Sequence, residues 1–139
     1  MYLVDTDVVS ELRKRQQTHP GVVSFFRDAA ATDAALYLSA VTIGELRRGV
    51  ELIRARGDAR QARLLERWLE TLVGDFGDNV LSFDADAAQV WGRLRVPHPE
   101  NPLDKQIAAT ALIRDLVLVT RNVRRFHATG VKLFDPFAG

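Results

Sequence analysis

Short apolar runs alternate with longer amphipathic segments along the whole chain. Four apolar runs predict buried strands and a last one predicts a short extended piece: YLVD at 2–5, ALYLSA at 35–40, NVLSF at 79–83, LVLVT at 116–120 and VKLFDPF at 131–137. Between them apolar residues recur at helical spacing, which predicts helices near 6–14, 21–30, 41–56, 58–76, 85–95 and 101–115. Strands that alternate with helices predict a parallel α/β sandwich.

The length of 139 residues predicts a single domain over 1–139 with room for a substantial core. No apolar run approaches the roughly 18 residues that cross a bilayer, so we expect a soluble cytoplasmic protein that does not bind membranes. The absence of cysteine excludes disulfides, thiolate zinc sites and cysteine nucleophiles. The net charge is only +1. Most basic residues are arginines, which suit phosphate contacts, although a GC-rich genome explains the same bias.

Three acidic residues occur near the predicted strand ends. Asp5 ends the first strand, Glu45 lies one turn into the helix after the second strand, and Asp104 lies in the first turn of the helix before the fourth strand. Right-handed crossovers bring the carboxyl ends of parallel strands to one edge, where ligands bind. Asp5 belongs there by position, and Glu45 reaches it if its helix starts beside that edge. Asp104 requires its helix to present its amino end there, which the sequence alone does not force.

Each acid also has a structural explanation, and taken singly the structural explanation is preferred. Glu45 fits a helix capping box that begins at Thr42, and Asp104 suits a helix start because of the macrodipole. Asp5 and Asp7 fit helix caps. The aspartate at position 84, which also follows a strand, is assigned to capping.

Four segments together carry a resemblance to a known family: LVDTDVVSEL, SAVTIGELRRGV, NPLDKQIAATAL and LVLVTRNVRRFHATGVKLFDPF. They occur in order from near the first residue to near the last, and together they resemble PIN-domain ribonucleases, more narrowly VapC-type toxins of type II toxin–antitoxin pairs. The resemblance implies a three-layer α/β/α sandwich with a central, mainly parallel sheet. It also implies metal-dependent RNA cleavage, a homodimer and a co-encoded VapB-type antitoxin that blocks the active site.

The chemistry of converging acids supports the same expectation independently. Two carboxylates about 4 Å apart repel by roughly 1 kcal/mol in water and about 4 kcal/mol at an effective dielectric of 20. Converging acids therefore need a cation or raised pKa values, and oxygen ligands without cysteine favour Mg²⁺, with Mn²⁺ as a substitute. Asp5 and Asp104 are the expected metal ligands. Glu45 holds a metal-bound water, ligates a second ion or acts as general base, and these alternatives stay open.

Three positions depart from the family pattern. Asp7 stands where the family commonly has Asn, and it either adds negative charge or caps the helix. Asn122, the fourth candidate catalytic residue, stands at a strand-end position that is often acidic or Asn, and its amide ligates or hydrogen-bonds without supplying a charge. Arg125 stands where an Asp commonly precedes the Phe, so that it contacts RNA phosphate or lowers metal affinity. The hydroxyl of Thr120 is available to the same site. These departures leave open a PIN domain that binds RNA or antitoxin without cutting.

A distant alternative is a haloacid-dehalogenase-like phosphatase, because the opening LVDTDVV resembles its nucleophile loop. That reading needs a lysine, for which Lys105 is available, and an acidic pair after a later strand. LVLVTRN supplies no such pair.

The remaining polar groups carry weaker expectations. Five arginines are expected either to flank the acidic crevice as phosphate contacts or to lie on solvated faces: Arg47, Arg48, Arg121, Arg124 and Arg125. Three histidines without ligand spacing are expected at the surface: His19, His98 and His127. An apolar stripe is expected in the core, with an interface to a second copy or an antitoxin helix as the alternative: Leu65, Trp68, Leu69 and Leu72.

Overall fold

A computed structural model describes residues 1–138 and contains a single parallel sheet of short strands. The strands are β1 (Tyr2–Val4), β2 (Leu36–Ser39), β3 (Val80–Leu81), β4 (Val117–Val119) and β5 (Leu133–Phe134). Their order across the sheet is β3-β2-β1-β4-β5, and every neighbouring pair is parallel. β1 lies in the middle of the sheet, with β2 and β4 on either side. Residues that follow these three parallel strands therefore meet along the side of the sheet where the strands end, which is called the edge of the sheet below.

The helices connect the strands as crossovers. They are α1 (Thr6–Glu11), α2 (Pro20–Ala31), α3 (Ala40–Ala55), α4 (Ala59–Phe76), α5 (Ala85–Leu94), α6 (Pro102–Ile113) and α7 (Val123–Phe126). Short 3₁₀ turns occupy Leu12–Gln17, Gly77–Asn79 and His127–Thr129. Within residues 1–138, no helix combines the length and the apolar character needed to cross a bilayer.

The side chains of the central strands alternate between two hydrophobic clusters. Leu3 and Leu118 face a cluster that includes α6 and Phe126 of α7, whereas Val4 and Val119 face a cluster that includes α1, α2 and α4. Successive residues of a strand point to opposite faces of the sheet, so that helices cover both faces. The prediction of a three-layer α/β/α sandwich is confirmed.

The stripe on α4 was expected in the core, and the structure confirms it. Leu69 and Leu72 are buried, while Leu65 and Trp68 are partly buried against the neighbouring hydrophobic residues. Leu69 belongs to a small cluster with Val50 of α3, which holds α3 and α4 together as a helical pair.

The bounds of the first helix, the third strand and the last strand differ from the sequence prediction, and the last strand contains only Leu133 and Phe134. The first helix was predicted to reach residue 14, but α1 ends at Glu11 and continues as a 3₁₀ turn in which Arg15 adopts a φ of 52°. Residues 13–17 are exposed, so no packing extends the helix. The third strand contains only Val80 and Leu81. The predicted cap after it is confirmed, because Oδ1 of Asp84 accepts a hydrogen bond of 2.9 Å from the amide of Ala87.

Candidate active site

Asp5 lies at the carboxyl end of β1 and is 5% exposed. Its Oδ1 accepts a hydrogen bond of 2.8 Å from the amide of Thr6, and its Oδ2 accepts one of 2.8 Å from the hydroxyl of Thr120 at the end of β4. The backbone amide of Asp5 also donates to the carbonyl of Val119. Asp5 therefore caps α1 and, at the same time, is fixed at the middle of the sheet edge.

The environment of Asp5 disfavours its ionised form. Burial raises the pKa of Asp5 from 3.8 to about 7, and the charges of Asp7 and, more weakly, Asp104 act in the same direction. The hydrogen bonds from Thr120 and Thr6 lower the pKa and offset part of this effect. A carboxyl group of this kind exchanges its proton near neutral pH unless a cation compensates the charge.

Asp7 points to the segment after β4 and does not cap α1. Its Oδ2 accepts hydrogen bonds of 3.0 Å from the amide of Arg121 and of 3.0 Å from Nδ2 of Asn122. Its Oδ1 is buried and has no hydrogen-bond partner within residues 1–138. Burial raises the pKa of Asp7, and the charge of Asp135 adds to this. Of the two roles left open for Asp7 in the sequence, helix capping is wrong, because Asp5 is the cap.

Glu45 reaches the same edge from α3. Ser39 caps this helix by accepting a hydrogen bond of 3.0 Å from the amide of Val41, so Glu45 lies in the second turn and the capping-box explanation is wrong. Oε1 of Glu45 lies 3.4 Å from the hydroxyl of Thr6, which is also 3.2 Å from the hydroxyl of Thr42. Burial is the main cause that raises the pKa of Glu45.

Asp104 lies in the first turn of α6 and is partly buried. Its Oδ2 is 3.6 Å from Nη1 of Arg125, whose side chain is 56% exposed. Burial raises the pKa of Asp104 although Arg125 lowers it. The charge of Asp104 raises the pKa of both Asp5 and Glu45. The amino end of α6 therefore faces the same edge as the strand ends, a relationship that the sequence did not force.

The acids interact through their charges without forming a closed metal cage. Within residues 1–138, no group of three or more His, Cys, Asp or Glu side chains is arranged closely enough to hold a metal ion. Asn122 contacts this region through Asp7, and Arg125 contacts it through Asp104. The acids therefore share one edge of the sheet, but their side chains as placed within residues 1–138 do not form a three-ligand metal site.

The five arginines that were considered as possible phosphate contacts lie in different environments. Arg47 is engaged in ion pairs with Glu51 and Glu66 on the helical pair α3 and α4. Arg121 lies over the ring of Phe137 at 4.5 Å. Arg48 and Arg124 are exposed. Of the five, Arg125 is the one whose guanidinium pairs with a candidate site residue.

The three histidines differ in their exposure. His98 and His127 are exposed, as expected. His19 differs, because it is partly buried and its Nδ1 accepts a hydrogen bond of 3.0 Å from the amide of Gly21 at the start of α2. Lys105, the lysine of the phosphatase alternative, is buried and donates from Nζ to the carbonyl of His98.

A parallel α/β/α sandwich with acidic residues collected at its strand ends defines the class of protein, and comparison with known proteins identifies it. The chain belongs to the PIN domain family, whose match covers residues 2–132. It is 34% identical to Toxin FitB of Neisseria gonorrhoeae over 142 residues, 99% of each chain. It is 33% identical to VapC ribonuclease Y4jK of Sinorhizobium fredii over 144 residues, 99% of this chain and 98% of that protein.

The structural comparison agrees with the family match. The crystal structure of FitAcB from Neisseria gonorrhoeae has a TM-score of 0.85 and 32% identity, with 100% of both chains covered. The resemblance recognised in the four sequence segments is therefore confirmed. The phosphatase alternative is wrong, because the chain matches the PIN domain family over nearly all of its length.

Proposed function

We propose that this chain is a Mg²⁺-dependent endoribonuclease and the toxin of a type II toxin–antitoxin pair. The observation that carries the proposal is that Thr6 joins two of the acids: its amide donates to Oδ1 of Asp5, and its hydroxyl lies 3.4 Å from Oε1 of Glu45. The charge of Asp104, on a third element, raises the pKa of both acids. Converging acids on three elements are an arrangement that the fold alone does not require. The names of the relatives, a FitB toxin and a VapC ribonuclease, support the same activity.

The donor set fits a hard divalent cation. Mg²⁺ is usually held by one or two carboxylates and keeps several waters or substrate oxygens, so that it does not require the group of three protein ligands that residues 1–138 lack. Asp5 and Asp104 are the proposed ligands, and Mn²⁺ substitutes for Mg²⁺. Oδ1 of Asp7 is buried and has no hydrogen-bond partner within residues 1–138, as expected for an oxygen that faces a water or an ion. When bound, the ion polarises a phosphodiester and lowers the pKa of an attacking water.

The side chains of the protein orient the proposed metal ligand Asp5 and accept a proton from the attacking water. Thr6 and Thr120 hold the two oxygens of Asp5, so that its carboxylate keeps one orientation. Glu45 is the proposed general base, because a carboxylate whose pKa is raised by burial accepts a proton from water more readily than an ordinary one. Arg125 is the proposed phosphate contact, since its guanidinium is exposed beside Asp104.

Cleavage of RNA by the purified chain tests the proposal. We expect cleavage with Mg²⁺, none with EDTA, and loss of cleavage in Asp5→Asn. Asp84→Asn is the matched control, because Asp84 follows β3 at the same edge of the sheet and caps α5. Equal cleavage by the wild type and Asp5→Asn would contradict the assignment of the site.

A second candidate function is a PIN domain that binds RNA or an antitoxin without cutting. Two observations favour it: Asn122 supplies no charge, and Arg125 lies 3.6 Å from Asp104 where it competes with a cation. RNA binding without cleavage at any Mg²⁺ or Mn²⁺ concentration would support this candidate.

The proposed partners are RNA, a cognate VapB-type antitoxin and a second copy of this chain. The toxin proposal predicts a small neighbouring reading frame for a DNA-binding antitoxin whose product abolishes the cleavage. Light scattering of the purified chain tests the homodimer.

A further inference from the structure

Asp7 and Asn122 form a hydrogen-bonded pair between the start of α1 and the segment after β4. Nδ2 of Asn122 donates to Oδ2 of Asp7 at 3.0 Å, although 115 residues separate them. The amide of Arg121 donates to the same oxygen at 3.0 Å. The hydroxyl of Thr120 is a third, longer donor to this oxygen at 3.5 Å. The three donors fix the orientation of the Asp7 carboxylate relative to the end of β4.

The other carboxylate oxygen is the unusual feature of the pair. Oδ1 of Asp7 is buried and has no hydrogen-bond partner within residues 1–138. A buried carboxylate oxygen without a partner is costly, and such groups in native proteins commonly bind a water or an ion. The hydroxyl of Thr120 lies 2.8 Å from Oδ2 of Asp5 and 3.5 Å from Oδ2 of Asp7. The two carboxylates are therefore close together, and a cation beside them would compensate both charges.

We propose that Asp7 contributes a further negative charge to the divalent cation of the site through a bound water, not as a third direct ligand, and that Asn122 is a positioning residue that orients the Asp7 carboxylate. The inference rests on the proposed function. It goes beyond that function because Asn122 carries no charge, and Asp7 supplies the negative charge in its place. One partner of this hydrogen bond is a carboxylate and the other is a side-chain amide. If the two residues were exchanged, the pair would still contain one carboxylate and one amide donor.

Asp7→Asn separates this role from a merely structural one. The amide oxygen of an asparagine accepts the same hydrogen bonds from Arg121 and Asn122, so that the bracing of the turn is kept while the charge is lost. The exchanged variant Asp7→Asn/Asn122→Asp returns the charge at the other end of the pair. Asn122→Asp alone places two carboxylates in contact and is expected to lower the stability of the metal-free protein.

The test is Mn²⁺ binding without RNA, measured by electron paramagnetic resonance and calorimetry at pH 8. We expect Asp7→Asn to weaken Mn²⁺ binding by roughly 10- to 100-fold, the range found for residues that support metal ligands. We expect the exchanged variant to recover at least half of that loss on a logarithmic scale. Asp84→Asn is the control and binds like the wild type, and thermal unfolding verifies that every variant is folded.

The outcomes distinguish this inference from the proposed function. Unchanged Mn²⁺ binding in Asp7→Asn, in a wild type that binds Mn²⁺ and cleaves RNA, overturns the inference and leaves the proposed function standing. A folded exchanged variant that binds no better than Asp7→Asn overturns the pairing of Asp7 with Asn122. A wild type that neither binds Mn²⁺ nor cleaves RNA overturns both proposals.

Discussion

The hydroxyl of Thr120 donates a hydrogen bond of 2.8 Å to Oδ2 of Asp5 in a fully buried setting. The same hydroxyl accepts a hydrogen bond of 3.1 Å from the amide of Asn122. The side chain of Thr120 therefore fixes the carboxylate of Asp5 at the end of β1, and it also fixes the backbone of Asn122 just after β4. The position of Asp5 depends on a residue that is remote in sequence.

Thr120→Val is expected to destabilise the protein by about 1–3 kcal/mol, because it leaves a buried carboxyl group and a backbone amide without their partner. It keeps the shape of the side chain and removes the hydroxyl alone. Urea denaturation at pH 7 in EDTA measures the loss. Thr120→Ser is the matched control, since it keeps the hydroxyl, and equal losses in the two variants would show that the hydrogen bonds contribute nothing.

Stability of the metal-free protein is expected to fall as the pH rises toward neutrality. The folded-state pKa of Asp5 is about 7 and its ordinary value is 3.8, so the folded protein binds the proton more tightly than the unfolded chain between these values. The free energy of unfolding therefore decreases as the pH rises through this window, for Asp5 by up to about 4 kcal/mol. The effect is complete once the pH exceeds the folded-state pKa.

Asp5→Asn isolates this contribution, because it removes the titrating group from a wild-type background. We expect the variant to gain stability relative to the wild type between pH 5 and pH 8 in EDTA, as measured by urea denaturation. The difference cancels the contributions of carboxyl groups that do not interact with Asp5, whereas those of Asp7 and Asp104 change with the substitution. A constant difference between the two proteins over this range would contradict the raised pKa of Asp5.

The fold could be predicted from the sequence because its signals are local. Apolar runs such as the one that ends at Asp5 alternate with helical periodicity, and right-handed crossovers then place the strand ends together. The same rule placed Asp5 at the edge of the sheet. The charge of Asp104 raises the pKa of Glu45. This agrees with the expectation that Asp5, Glu45 and Asp104, which lie on three different elements, come close together.

The directions of individual side chains could not be predicted, because distant residues determine them. Asp7 follows a helix cap and looks like a second cap, but its hydrogen-bond partners Arg121 and Asn122 come from the other end of the chain. Glu45 matched a capping box until the structure placed the start of its helix at Ala40, one turn earlier. A capping motif in the sequence indicates which local hydrogen bonds are possible. Which of them form depends on the tertiary contacts of the same side chains.

Glu45→Gln is expected to lower the rate of RNA cleavage by roughly 10²- to 10⁴-fold, the usual contribution of a general base. The amide still accepts the hydrogen bond from Thr6, so the thermal midpoint is expected to stay the same or rise. Single-turnover cleavage and thermal unfolding measure the two effects. Glu70→Gln, on the exposed side of α4, is the control. Full activity of Glu45→Gln would exclude Glu45 as the base.

Arg125→Ala is expected to tighten Mn²⁺ binding, because it removes the cation that lies 3.6 Å from Asp104. Arg125 is exposed and Asp104 is partly buried, and an ion pair with one exposed partner contributes about 1 kcal/mol. This corresponds to an increase in affinity of about fivefold, and we expect little change in stability. Calorimetry measures the affinity. Arg124→Ala removes the same charge from a neighbouring exposed position that pairs with no carboxylate within residues 1–138, and it is expected to bind Mn²⁺ like the wild type.

The same two variants separate competition for Asp104 from contact with RNA. If Arg125 also binds phosphate, Arg125→Ala weakens RNA binding while it tightens Mn²⁺ binding, and the two effects oppose each other in the cleavage rate at low Mg²⁺. Fluorescence anisotropy with labelled RNA in EDTA measures RNA binding alone. Weaker Mn²⁺ binding in Arg125→Ala would contradict the competition, because it would mean that the guanidinium orients Asp104 as a ligand instead of neutralising it.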